Sequence, residues 1–100
     1  RRGVRAYLVA VIEVHDPESY KRYAERAPET ITKYGGRYLI RGAQPDVQEG
    51  EWPLDRLVVL EFPDAEAARR FYQSPEYQEI VPLRQAASKG AVAILPGYTP

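Results

Sequence analysis

The run Tyr34-Gly35-Gly36-Arg37-Tyr38-Leu39-Ile40-Arg41-Gly42 leaves the backbone few options. Paired glycines stop a helix, and the β-prone residues behind them start a strand. Side chains alternate along a strand, so Tyr38 and Ile40 are expected on one face and Arg37, Leu39 and Arg41 on the other. The first face suits a core. The second is expected to place guanidinium groups in a cavity, where they could hold an anion.

The flanking sequence supplies the remaining elements. Ala6 to Val14 (AYLVAVIEV) is almost continuously apolar, broken only by Glu13, which predicts a central strand covered on both faces. Asp16-Pro17-Glu18 then gives a helix start: a capping side chain, a proline at the first helical position and an acid at the positive end of the dipole. Tyr20, Tyr23, Ala24, Ala27, Ile31 and Tyr34 form one apolar stripe along that helix. Pro28 lies inside it and should kink or divide it, because proline has no amide to bond back to Ala24. Beyond Arg41, a bend or bulge is expected over Gly42 to Pro45, with the extended pattern resuming at Val47. A polar turn, Glu49 to Pro53, leads into Arg56 to Phe62 (RLVVLEF), a third strand. Asp64 caps a helix that turns Ala65, Ala68, Phe71 and Tyr72 inward, and Ser74-Pro75-Glu76 opens a further short helix that Pro82 should disturb. Ala91 to Leu95 is the last strand. The order βαββαβ, with an extra helix before the final strand, predicts an α+β fold: an antiparallel sheet with its helices on one face.

Such a sheet has a bare second side, here including Tyr7, Val9, Val11, Leu57 and Val59. A patch this apolar suits a symmetric homodimer with two sheets face to face. A chain of 100 residues, 44% hydrophobic, forms one domain over 1–100 with its core in 6–95, and it gains from association. Fourteen basic residues balance fourteen acidic ones, so no long-range field favours nucleic acid or an anionic membrane. The longest apolar run, Ala6 to Ile12, falls well short of the roughly 20 residues that cross a bilayer. Zero cysteines remove disulfides, thiolate metal sites and cysteine nucleophiles, and they suit a cytoplasmic location. With a single histidine, no metal or heme is expected. The tail Pro96 to Pro100 has turn composition and could reach across to a partner subunit.

In order along the chain, YLVAVIEV followed by DPESY, then GGRYLIRG, EGEWP, RLVVLEFPD and FYQSPEYQ, resembles the domain-of-unknown-function family numbered thirteen-thirty. The resemblance covers about Ala6 to Leu95. It implies a ferredoxin-like subunit that pairs sheet to sheet into a dimeric α+β barrel, and it implies no particular reaction. Relatives in the wider superfamily include cofactor-free monooxygenases, heme-linked enzymes, muconolactone isomerase-like proteins and ligand-sensing domains, so the fold selects no chemistry.

Glu13, Arg37, Arg41 and Glu61 share strand parity with the bare face if no bulge intervenes. As a site, Arg41 and Arg37 would grip a carboxylate-bearing ligand, with Glu13 beside them and Glu61 accepting or donating the proton. As plain structure, the same four are ion pairs at the sheet margin. His15-Asp16 resembles a general-base dyad of the kind the YCII-like relatives place near their cavity, although Asp16 is already explained as a cap. Trp52, in a polar turn, could fold over a cavity mouth or pack on a partner subunit. Tyr7, Tyr38, Tyr72 and Tyr77 could line an aromatic pocket but equally serve as core. The expected function is binding of a small organic, carboxylate-bearing molecule in a barrel-side cavity. Two forms of it stand: an enzyme working without metal or flavin, and a non-catalytic ligand-sensing or accessory interaction protein.

Overall fold

The structure, a computed structural model, describes residues 4–53 and 55–100. Its elements are β1 (Ala6–Val14), α1 (Pro17–Lys33), β2 (Arg37–Arg41), β3 (Arg56–Phe62), α2 (Ala65–Gln73), α3 (Pro75–Ala87) and β4 (Ser88–Pro96). The strands form one antiparallel sheet in the order β2-β3-β1-β4. With the helices on one side only, the molecule is a slab of 40 × 38 × 17 Å, two layers thick.

Local signals explain the helix ends. The Asp16 carboxylate accepts from the Ser19 amide, the Asp64 carboxylate from the Ala67 amide, and the Ser74 hydroxyl from the Tyr77 amide, so each helix start has a satisfied donor. At the far end of α1, Gly35 adopts φ +86° and the Gly36 amide donates to the Ile31 carbonyl at 2.9 Å. A methyl on Gly36 would come within 2.6 Å of the Phe62 ring, so only glycine lets the turn lie flat on β3.

Neither internal proline breaks its helix. Pro28 leaves α1 continuous from Pro17 to Lys33, and Pro82 leaves α3 continuous to Ala87. In α3, buried residues lie on both sides of the proline, Ile80 and Val81 before it and Arg84 and Ala87 after it, so packing holds the helix together. In α1 the cause is more specific. The Ala24 carbonyl, which lost its partner to Pro28, accepts instead from Arg41 Nη2 at 2.7 Å.

The expected register of β2 is corrected. Arg37 pairs with Glu61 and Tyr38 with Leu60, but Ile40 then pairs with Val59 and Arg41 with Val58. Leu39 is the extra residue of a bulge, which reverses the parity beyond it. Ile40 therefore joins the bare face and Arg41 the helix-covered face, opposite to simple alternation. The irregularity expected over Gly42 to Pro45 begins earlier, and residues 43–53 carry no strand, Val47 included.

The helix-covered face holds two clusters. The larger gathers Leu8, Ile31, Leu60, Phe62, Phe71, Tyr77 and Ile80; the smaller gathers Ala10, Ile12, Tyr20 and Ala87. On the other face, Tyr7, Val9, Val11, Leu57 and Val59 are half-buried, while Ile40 and Leu95 are exposed.

Candidate functional site

Where the two clusters meet, between α1, α3 and the sheet, the packing is incomplete. A narrow slot runs there, lined along its length by Leu8, Ala10, Ile12 and Leu60 from the strands and by Tyr20, Tyr23 and Tyr77 from the helices. It holds about 30 Å³ for water centres, room for roughly two waters. Tyr20, Ala24 and Arg56 also border an open groove with Gly42, Gln44 and Asp55, and this groove continues the slot outward.

Three arginines border the slot, and among the described residues no aspartate or glutamate does. Arg84 stands deepest. It is 7% exposed, and its Nε is buried with no hydrogen-bond partner among the described residues. The guanidinium lies 5.9 Å from the Tyr23 ring centroid. Burial opposes the charge on Arg84, yet the phenol oxygens of Tyr77 and Tyr23 hold its pKa above the ordinary value. Those phenols are only 2.6 Å apart. Burial, then the neighbouring Tyr77 oxygen, pushes the Tyr23 hydroxyl far above its usual range, so it stays neutral. The pair thus offers Arg84 dipoles and no counter-charge.

Arg56 and Arg41 stand nearer the mouth. Arg56 Nε donates to the Tyr20 hydroxyl at 3.2 Å, and its guanidinium lies 5.3 Å from the Tyr20 ring. Gly42, at φ +67°, makes room for it, since a methyl there would overlap the guanidinium. Arg41 lies over the Tyr38 ring at 4.5 Å while it holds the Ala24 carbonyl.

The residues proposed from sequence fall into separate places. Arg41 reaches the slot, through the bulge that took it off the bare face. Glu61 and Arg37 stay on the bare face as expected, bound to each other: Arg37 Nε donates to Glu61 at 2.8 Å, Tyr7 donates at 3.3 Å, and Arg5 lies at 3.9 Å. The hydrogen bond from Arg37, opposed by burial and aided by both guanidinium charges, holds the Glu61 carboxyl below the usual carboxylate range. Glu13 is exposed at the other end of β1, 3.7 Å from Lys89. It lies six residues along from Tyr7, about 20 Å of strand. His15 is exposed and its backbone amide donates to Ala87, while Asp16 caps α1. Trp52, 47% exposed, borders a shallow groove with Ile40, Val47 and Leu57. Of the six, only Arg41 borders the slot.

Arg84 and Arg56 have no place in the sequence-derived site, although both carry a signal. Arg84 follows Tyr77, Ile80 and Val81 at seven, four and three residues, on the inward stripe of α3. Arg56 shares strand parity with the inward-facing Val58 and Leu60.

Comparison with known proteins places this geometry in a wider setting. The family described as domain of unknown function (DUF1330) matches residues 5–98. No curated protein sequence matches the chain. A crystal structure of a protein of unknown function from Rhodopseudomonas palustris is similar over 99% of this chain and 86% of its own, at 19% identity and TM-score 0.75. SnoaB, a cofactor-independent oxygenase from Streptomyces nogalater, aligns over 97% of this chain and 96% of its own, at 15% identity and TM-score 0.67. A dabb family protein with a ferredoxin-like fold from Mesorhizobium loti aligns over 97% of both chains, at 16% identity and TM-score 0.60. These likenesses show the fold, which is ferredoxin-like.

Proposed function

The chain belongs to the family described as domain of unknown function (DUF1330), and from that premise we propose that it binds a small, flat organic acid in the slot between α1, α3 and the sheet. The observation that carries this is Arg84. A cation buried to 7% exposure, with an unmade hydrogen bond and only neutral phenols around it, is a costly thing for a fold to keep. A ligand carboxylate would supply both the missing charge and the missing acceptor. The tyrosine walls favour a thin aromatic or conjugated body, because the walls must part least for it.

Two subunits would pair through the bare sheet faces, covering Val9, Val11 and Val59. Arg37 and Glu61 belong, on this proposal, to the rim of that interface, and Arg41 to the mouth of the slot. Between an enzyme and a ligand-sensing protein, the geometry favours binding. Among the described residues no carboxylate or histidine borders the slot to act as a base near neutral pH. Catalysis would instead consist of stabilising an oxyanion formed on the substrate. That form has a fold-level counterpart in the cofactor-independent oxygenase SnoaB.

Titration calorimetry with aromatic monocarboxylates and their amides tests the proposal. Benzoate and phenylacetate should bind, their uncharged amides should not, and Arg84→Met should weaken the acids by at least about tenfold. Equal binding of acid and amide, no binding by any acid, or an Arg84→Met protein with unchanged affinity would overturn it.

A further inference from the structure

Arg84 is only one end of the slot. Lys33, Arg5, Arg26, Arg37, Arg70 and Lys89 each have a carboxylate within 4.0 Å, whereas Arg41, Arg56 and Arg84 have none among the described residues. In a chain of zero formal net charge, Lys21, Arg22 and Arg69 also lack such a partner among the described residues, but Arg41, Arg56 and Arg84 are the ones gathered around one cavity, where they concentrate positive charge. Asp55 borders the outer groove with its carboxylate accepting from the Val14 amide at 3.1 Å, and it makes no ion pair within 4.0 Å among the described residues.

The tyrosines order these charges. Tyr20 and Tyr23 stand on neighbouring turns of α1 with ring centroids 5.6 Å apart. Arg56 lies over the first ring and Arg84 over the second. The slot therefore has a guanidinium at each end of a two-ring aromatic wall. Arg56 keeps its terminal nitrogens over Gly42, where the absent side chain leaves them room, while its Nε is engaged by Tyr20.

We infer that the ligand is a dianion: two acidic groups separated by a flat apolar spacer, one held by Arg84 at the deep end and the other by Arg56 at the mouth, with Arg41 beside it. This rests on the slot being the binding site. A monoanion on Arg84 leaves the outer guanidinium charge unmatched in a partly desolvated cleft. A second acid matches it and adds a second charge-assisted hydrogen bond.

The test compares isophthalate, terephthalate and a naphthalene dicarboxylate with their own monomethyl esters, by titration at neutral pH and constant ionic strength. At least one diacid should bind about tenfold or more tightly than its monoester. Arg56→Gln should remove that gain, so that the variant binds each diacid no more than about twofold more tightly than its monoester, with circular dichroism reporting that the variant is folded. The comparison on the unaltered protein stands by itself if the variant fails to fold. Monoesters that bind as tightly as every diacid would overturn the dianion inference and leave the monoanion proposal standing. A diacid gain that persists in folded Arg56→Gln would overturn the outer subsite. Binding by neither diacid nor monoester would remove both proposals together.

Discussion

Replacing Arg84 with methionine should make the protein more stable while removing its proposed ligand anchor. The Nε of Arg84 is buried without an acceptor, and such a group costs about 1–3 kcal/mol. Opposing that, the guanidinium stands over the Tyr23 ring, a contact that contributes about 0.5–2 kcal/mol. Methionine keeps an unbranched stem out to about the Nε position and needs no hydrogen bond there. The balance favours Arg84→Met by about 1 kcal/mol, which for a domain this size raises Tm by about 4–8 °C. Thermal unfolding followed by circular dichroism measures it, at matched protein concentration because association would shift both curves. A loss of more than about 1 kcal/mol would refute the reasoning. Arg84 would then be a structural tie between α3 and α1, and its unmade bond would need another cause. A stability gain paired with lost binding is the pattern expected of a residue kept for its ligand.

Two further outcomes can be checked directly. Light scattering at low micromolar concentration should give twice the 11.4 kDa chain mass, and Val59→Asp should give the single mass, because an unpaired carboxylate on the bare face costs several kcal/mol when covered; a monomeric parent or a dimeric variant contradicts the pairing. Glu76 should carry part of the acid sensitivity: a hydrogen bond from Lys33, then its own backbone amide and Tyr34, holds its carboxyl down at about 2 from an ordinary 4.5. A carboxyl depressed in the folded state stabilises above its unfolded value and loses that contribution as pH falls through the folded one. Glu76→Gln should therefore flatten the stability curve between about pH 4.5 and pH 2, and an unchanged slope there would contradict the assignment.

The parts of the fold that were legible in the sequence were encoded locally. Asp16-Pro17-Glu18, Asp64 and Ser74-Pro75-Glu76 mark helix starts because a cap acts on amides two or three residues away. The bounds of β1 and β3 follow from apolar runs broken only by Glu13 in the first and by Arg56 and Glu61 in the second. The bulge at Leu39 was not legible, because it is a property of how β2 pairs with β3 and nothing in Arg37 to Arg41 marks the extra residue. Its effect on the site was large, since one residue of slip carries Arg41 to the other side of the sheet. Pro28 misled for a related reason: the bond it removes is replaced from β2, seventeen positions beyond Ala24. Arg84 was readable from its spacing to Tyr77, Ile80 and Val81, but an arginine on an apolar stripe is easily taken for a side chain that reaches out to water.

Pro28 also has an effect beyond the helix that contains it. By leaving the Ala24 carbonyl vacant, it gives Arg41 a fixed backbone point to hold, and that point belongs to the opposite wall of the slot. The guanidinium thereby gives up its rotamer freedom when the chain folds rather than when a ligand arrives. For a long side chain that freedom is worth about 0.5–1.5 kcal/mol on binding. A strand and a helix are also tied across the entrance by one short contact, from a side chain to a main-chain carbonyl. An incoming acid would meet a guanidinium that is already oriented.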